Sequence, residues 1–194
     1  MGAAERNAKH RAIWHRIVTK LDARRYVFID ESGANITLVP RYGRAPRGER
    51  CPGIVPRNYG ANLTLFASLT TEGVRAAMLL DGGADHTAFQ LYVERILVPT
   101  LKPKQVVVLD NLSVHKHRAV REAIHAAGCH LLFLPSYSPD FNPIEMAFSQ
   151  IKAYLRRKAA RSREALEEEI GRAIDIVTPA DATAYFRHCG YVPL

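Results

Sequence analysis

The sequence has few cysteines, no long apolar run and no signal-peptide core. Cys51, Cys129 and Cys189 are odd in number and far apart, so reduced structural thiols are expected rather than a disulfide or a zinc site. No apolar stretch approaches the roughly 20 residues that a membrane span needs, and the N-terminal residues are polar and mixed in charge. We therefore expect a soluble, intracellular protein with no membrane partner.

What is present is a basic chain of ordinary composition. Its 194 residues are 47% hydrophobic and 24% charged, which suits one well-buried domain and leaves no room for a second large one. The formal net charge is +8, with a pI near 9.6. This balance favours a polyanionic partner, although many nucleic-acid and membrane-surface proteins share it.

Two apolar runs end in carboxylates. The run 106–109 is followed by Asp110, and the run 26–29 is followed by Asp30 and Glu31. Branched apolar residues without polar alternation indicate strands that are covered on both faces, and ligands bind at the carboxyl ends of such strands. Asp30 and Asp110 are therefore candidate site residues, although aspartate also commonly starts a turn after a strand.

A third carboxylate lies at a predicted helix start. Asn142 followed by Pro143 indicates an N-cap and a first helical residue, which places Glu145 in the first turn. The stretch between Asp110 and Glu145 has room for one helix, one returning strand and a turn, so the two carboxylates can converge. Glu145 could instead serve only the helix terminus, as the acidic residue of a capping box.

The remaining pattern predicts antiparallel strands first and alternating strands and helices later. The N-terminal residues 5–21 are predicted to form a helix that packs on the domain with one solvated face, with contact to DNA as the alternative. The other predicted strands are 36–39, 63–69, 74–80 and 131–134. The other predicted helices are 87–97, about 117–127 and 143–158, followed by one helix after Ser162 and one opened by Thr178 and Pro179. The helix 87–97 is predicted to start with a capping box at Thr87.

Three blocks of sequence resemble the catalytic blocks of mariner-like transposases and their bacterial insertion-sequence relatives, which are DDE superfamily endonucleases. The blocks are 30–33 (Asp-Glu-Ser-Gly), 110–116 (Asp-Asn-Leu-Ser-Val-His-Lys) and 134–145, which ends in Ser-Pro-Asp-Phe-Asn-Pro-Ile-Glu. The resemblance extends from about residue 25 to residue 191. It implies an α/β, RNase H-like fold with a mixed five-stranded sheet flanked by helices, in which the first and fourth strands are neighbours.

The resemblance also implies a reaction. The family's catalytic residues correspond to Asp30, Asp110 and Glu145, which would hold Mg²⁺ or Mn²⁺, as two ions. Three converging carboxylates repel each other unless a cation neutralises them, and two metals can assist an in-line displacement at phosphorus. The implied activity is DNA strand cleavage and strand transfer, with transposon ends and target DNA as partners, a homodimer in the DNA complex, and a location in the bacterial cytoplasm at the nucleoid.

Other residues are weaker candidates. His115 and Asn111 are possible auxiliary residues. His115 could approach the substrate or a metal-bound water, although a loop histidine is more often exposed. Glu31 is expected to point away from Asp30. Basic residues in the loop 40–59 and in later segments could contact phosphates, although solvated charge is the alternative. The predicted DNA-contact residues are Arg41, Arg44, Arg47, Arg50, Arg57, Lys116, Lys152, Arg156, Arg157 and Lys158.

The chain departs from the resembling family at its N-terminus. Residues 1–24 predict a helix or linker that cannot hold the helix-turn-helix region that recognises transposon ends, and residues 25–194 would form the RNase H-like catalytic domain. The chain would then be a domain fragment, one product of a split frame or a truncated copy. An alternative function follows: a non-catalytic DNA-binding or assembly protein that pairs with full-length transposase and limits it.

Overall fold

A mixed five-stranded sheet forms the centre of the computed structural model, which describes residues 6–40, 42–57, 60 and 62–192. The strands are β1 (Tyr26–Ala34), β2 (Leu63–Thr70), β3 (Gly73–Asp81), β4 (Val106–Leu109) and β5 (His130–Phe133). Their order is β3-β2-β1-β4-β5, with β2 antiparallel to its neighbours and β1, β4 and β5 parallel. The predicted mixed sheet and the contact between the first and fourth strands are confirmed.

The pairing of β1 with β4 determines where the aspartates lie. Phe28 pairs with Val108 in this parallel ladder, and Asp30 and Asp110 each follow two residues later. Two neighbouring parallel strands therefore deliver the two aspartates to the same edge of the sheet. The predicted convergence of these residues has a direct cause in the strand register.

Helices cover both faces of the sheet. The helices are α1 (Ala8–Val18), α2 (His86–Tyr92), α3 (Arg118–Ala126), α4 (Pro143–Lys158), α5 (Arg163–Asp175) and α6 (Pro179–His188). One core cluster contains side chains of α1, α4, α5 and α6, and a second contains side chains of α2 and α3. No helix within these described ranges is long and apolar enough to cross a membrane.

An aromatic cluster connects the N-terminal helix to the end of the chain. The rings of Phe28 and Tyr191 lie 4.9 Å apart, and Nε1 of Trp14 donates a hydrogen bond of 3.1 Å to the Tyr191 hydroxyl. That hydroxyl donates in turn to the carbonyl oxygen of Phe141 at 2.8 Å. Since Phe141 lies two residues before α4, the core itself holds the segment that leads to Glu145.

Two predictions of local structure are wrong. Residues 36–39 do not form a strand, because Oδ1 of Asn35 accepts hydrogen bonds from the backbone N–H and the hydroxyl of Thr37, at 3.0 and 2.5 Å, and this turns the chain. The capping box at Thr87 is also absent. Asp85 caps the helix, with its side chain accepting from the N–H of Ala88 at 2.8 Å.

The end of the same helix differs as well. Beyond Tyr92 the backbone widens into a π-helical turn (Val93–Leu97) and then narrows into a 3₁₀ turn (Val98–Thr100).

The predicted caps at Ser162 and Thr178 are confirmed. All three cysteines are free thiols: Cys129 and Cys189 are buried, as expected for structural residues, whereas Cys51 is exposed.

Candidate active site

Asp30 is the most buried of the three predicted catalytic carboxylates, with 8% of its surface exposed. Its Oδ1 accepts the backbone N–H of Glu31 at 2.9 Å, and its Oδ2 accepts Nδ2 of Asn142 at 2.8 Å. Burial raises the pKa of Asp30 to about 7, and the nearby charges of Glu31, Glu145 and Asp110 act in the same direction. Asp30 is thus held inside a cluster of negative charge.

Asp110 follows the end of β4 and performs two structural tasks. Its Oδ1 accepts the N–H of Leu112 at 3.1 Å, which is the turn-starting role that aspartate commonly has after a strand. The same oxygen lies 2.5 Å from Nδ1 of His115. The structural role and the position beside Asp30 therefore coexist.

Glu145 lies in the first turn of α4 and is exposed. The capping-box alternative does not hold, because the predicted N-cap residue, Asn142, makes no side-chain cap hydrogen bond. Asn142 instead directs its amide towards Asp30. Within the described part of the chain, the Glu145 carboxylate makes no hydrogen bond or ion pair, so nothing holds it away from the aspartates.

The three carboxylates line one cavity. It has a volume of about 360 Å³, and Asp30, Asp110 and Glu145 share its walls with Asn142 and the loop 134–139. Among the described residues, no three carboxylate, imidazole or thiol groups form a ready-made metal cage. The donors nevertheless suit a hard divalent cation, because the buried carboxyl of Asp30 has a raised pKa beside three other acids, and a cation would relieve that repulsion.

His115 is buried, and the expectation that it would be exposed is wrong. It is 1% exposed, and its ring centroid lies 4.3 Å from that of Phe89. Its Nε2 lies 3.3 Å from Oε2 of Glu31, on the opposite side from Asp110. Burial opposes protonation of this imidazole, but the contacts with Asp110 and Glu31 outweigh burial and raise its pKa to about 9.

Glu31 explains part of this arrangement. Its Oε2 is buried and lies 3.3 Å from Nε2 of His115, an ion pair when the imidazole is protonated. Glu31 and Asp30 point to opposite faces of β1, as predicted, yet Glu31 reaches the site through His115. Two features of the sequence could have indicated these contacts: Glu31 directly follows Asp30, and His115 follows Asp110 by five residues.

The loop before α4 is held by a clasp that was not predicted. Arg11, from α1, donates to Oδ2 of Asp140 at 2.5 Å and to Oγ of Ser138 at 2.7 Å, and its guanidinium lies 4.2 Å from the centroid of the Phe141 ring. Arg6 also pairs with Asp140, at 2.7 Å. Asp140 thus orders this loop through Arg11 of α1 and through Arg6, which precedes that helix.

The other predicted residues are placed as follows. Asn111 donates to Oγ of Ser136 at 2.7 Å and lines the cavity. Arg41 lies outside the described residues. The basic side chains that are exposed are Arg44, Arg47, Arg50, Arg57, Lys116, Arg157 and Lys158, whereas Lys152 and Arg156 are half-buried. Lys158 also lies 3.9 Å from Glu169, which satisfies part of its charge within the protein.

Solved structures of the Mos1 mariner transposase share this fold. The strand transfer complex superimposes with a TM-score of 0.72 at 18% identity, covering 93% of this chain and 55% of that chain. The paired end complex with Mn gives 0.70 at 18% identity, covering 97% and 61%. The isolated catalytic domain with Raltegravir and Mg gives 0.68 at 19% identity, covering 100% and 92%.

These figures show how far the likeness extends. The chain spans 55 to 61% of the length of the transposase chains in the strand transfer and paired end complexes, but nearly the whole catalytic domain. The predicted RNase H-like fold is confirmed. Among curated proteins, none matches the sequence significantly. The profile described as DDE superfamily endonuclease matches residues 25–167, which include all three carboxylates. This chain belongs to the DDE superfamily endonucleases.

Proposed function

We propose that this domain catalyses divalent-metal-dependent cleavage of DNA strands and their transfer to a target, as the catalytic domain of a transposase of an insertion sequence. The observation that carries the proposal is that Asp30, Asp110 and Glu145, drawn from two neighbouring strands and a helix start, line a single cavity. Family membership supports the endonuclease class. The domain would comprise residues 25–194, preceded by the N-terminal helix.

Asp30, Asp110 and Glu145 would hold two Mg²⁺ or Mn²⁺ ions. Such ions lower the pKa of an attacking water and stabilise the leaving oxygen of a phosphodiester. Mos1 paired end complexes have been solved with Mn and with Mg, which supports this choice of cation.

The protein's own contribution is to orient these oxygens. Asn142 and the N–H of Glu31 fix the two oxygens of Asp30, and His115 holds one oxygen of Asp110. Glu145 is exposed and has no hydrogen-bond or ion-pair partner among the described residues, so it could adjust when a cation and DNA enter. We propose that His115 positions Asp110. We further propose that Asn111 positions the loop at Ser136.

Duplex DNA is the proposed partner. The Mos1 structures include a paired end complex and a strand transfer complex, and the present domain would act on transposon ends and target DNA as a homodimer in the DNA complex. Phosphates would be contacted by the basic residues of the loop 40–59, by Lys116, and by Lys152, Arg156, Arg157 and Lys158 on α4. Those among them that the structure describes are exposed or half-buried, which supports this assignment.

The test is nicking and joining of DNA that carries the element's ends, with Mg²⁺, with Mn²⁺ and with EDTA. Asp110→Asn and Glu145→Gln should abolish both reactions, whereas Asp175→Asn, which removes an exposed carboxylate far along α5, should not. Full activity of the Asp110→Asn and Glu145→Gln proteins would remove the proposed roles. The matched control separates loss of charge from loss of the site.

A second candidate is a non-catalytic assembly partner of a full-length transposase. Two observations favour it: the described residues contain no closed metal cage, and an oxygen of Asp110 is already bonded to His115. A calorimetric titration with Mn²⁺ distinguishes the two functions. Binding that Asp110→Asn abolishes supports catalysis, and an absence of carboxylate-dependent binding supports the assembly role.

A further inference from the structure

A second cavity opens at the opposite edge of the sheet from the carboxylates. It has a volume of about 600 Å³ and is lined by the start of β1, the β2–β3 turn at 70–72 and the segment 100–105 before β4. Arg25, in its wall, precedes Asp30 by five residues, which is roughly 16 Å of extended strand at about 3.3 Å per residue. This cavity is therefore separate from the candidate active site.

Its walls are strongly basic. Among the described residues that line it, Glu72 is the one acid, and the cations are Arg24, Arg25, Arg75, Lys102 and Lys104. Arg75 lies 3.7 Å from Glu72, and Arg24 pairs with Asp22. In the described part of the chain, Arg25, Lys102 and Lys104 have no carboxylate within ion-pair distance. Three positive charges thus face the cavity without internal compensation.

The cations are held by the fold. Nε and Nη2 of Arg25 donate to the carbonyl oxygen of Lys104 at 3.1 and 2.7 Å, and the N–H of Lys104 donates to the carbonyl oxygen of Gly128 at 2.8 Å. Oε1 of Gln105 accepts the N–H of Lys102 at 2.7 Å, which leaves the Gln105 amide nitrogen as a further donor. The backbone that carries both lysines is therefore fixed on both sides.

We propose that this cavity binds the sugar-phosphate backbone of a DNA segment other than the one at the carboxylates. Uncompensated cations and amide donors are the groups that contact phosphates. No aromatic side chain stands among the described residues of its walls, so a base would have no surface on which to stack. This favours a backbone over a free nucleotide. The inference rests on the proposed function only in taking DNA as the polyanion.

The experiment compares two double variants in EDTA, using a 20-base-pair duplex of arbitrary sequence and fluorescence anisotropy. Lys102→Gln with Lys104→Gln removes two charges from the cavity. Arg95→Gln with Arg187→Gln removes two exposed charges that lie in neither cavity. The cavity variant should bind several-fold more weakly, and the slope of log K against log salt should fall by about 1.8, since each phosphate contact contributes about 0.9. Equal behaviour of the two variants would overturn the proposal.

A second measurement locates the contact on the folded wild-type chain. Lys102 and Lys104 are acylated with an amine-reactive ester, and their modification is read by mass spectrometry with and without the duplex. Protection by the duplex supports the site, and equal modification, or protection by inorganic phosphate alone, overturns it. Neither readout requires metal or turnover. If the duplex protects the lysines but the protein does not nick DNA, the proposed function is wrong and this binding site is still supported.

Discussion

The side-chain amide of Asn142 donates a 2.8 Å hydrogen bond to Oδ2 of Asp30, across a separation of 112 residues. Asn142 stands at the start of α4, where its ordinary role would be to cap the helix. It is 3% exposed, and its Oδ1 is buried and makes no hydrogen bond to any residue that the structure describes. The residue therefore ties the helix that carries Glu145 to the strand that carries Asp30.

We expect Asn142→Ala to weaken both the fold and the site. The free energy of unfolding should fall by about 1 to 3 kcal/mol, because a buried carboxylate oxygen loses its donor, and metal-dependent nicking should fall with it. Chemical denaturation and a nicking assay measure the two effects. The control is Asn35→Ala, because the side-chain hydrogen bonds of Asn35 in the described part of the chain go to Asn62 and Thr37, away from the site. Wild-type nicking by a folded Asn142→Ala protein would contradict the positioning role.

Asp30→Asn should separate stability from activity. Because burial and neighbouring acids raise the pKa of Asp30 to about 7, its charge destabilises the metal-free fold at pH 8. The free energy of unfolding in EDTA should therefore rise, by up to about 4 kcal/mol, since one pKa unit corresponds to about 1.4 kcal/mol. The amide can still accept from Asn142. Nicking should be lost. If the variant is less stable than wild type in EDTA, the charge of Asp30 does not destabilise the metal-free fold.

His115→Phe should impair metal binding without leaving a cavity. The ring volume is kept beside Phe89, but Asp110 loses its 2.5 Å partner. Loss of a residue that orients a metal ligand typically costs 10- to 100-fold in metal affinity or activity. His115→Asn, which can place a donor near the position of Nδ1, should restore part of the Mn²⁺ affinity measured by calorimetry. If the Phe and Asn proteins bind Mn²⁺ equally, His115 acts only in packing.

The sequence predicted what depends on short-range pattern. The apolar runs and the carboxylates that follow them predicted β1, β4 and a shared edge, and the Asn142–Pro143 pair predicted the start of α4. The sequence did not reveal the partners of polar side chains, because Asn142 meets Asp30 and Arg11 meets Asp140 only after distant segments pack. The error at 36–39 has a similar origin: Ile36 and Leu38 are apolar because they pack on the core, not because they form a strand.

The clasp between α1 and the loop before α4 predicts a sensitivity to acid. Hydrogen bonding and charge from Arg11, with a further contribution from Arg6, hold the pKa of Asp140 below its usual range. A carboxyl whose pKa is lower in the folded state stabilises the fold above the pKa of the unfolded chain, and this stabilisation is lost as the pH falls through the lower, folded-state pKa.

Asp140→Asn should therefore lower stability at pH 7 and have a smaller effect in strong acid, where Asp140 is protonated in both states. Because the side chain of Asp140 is 45% exposed, solvent screens the pair, and we expect a loss of about 0.5 to 1 kcal/mol. Thermal unfolding of wild type and variant across the acid range measures the difference. The control is Asp175→Asn, which removes an exposed carboxylate with no ion pair in the described chain. If the stability difference between Asp140→Asn and wild type does not shrink in acid, the clasp stabilises the fold through packing and not through charge.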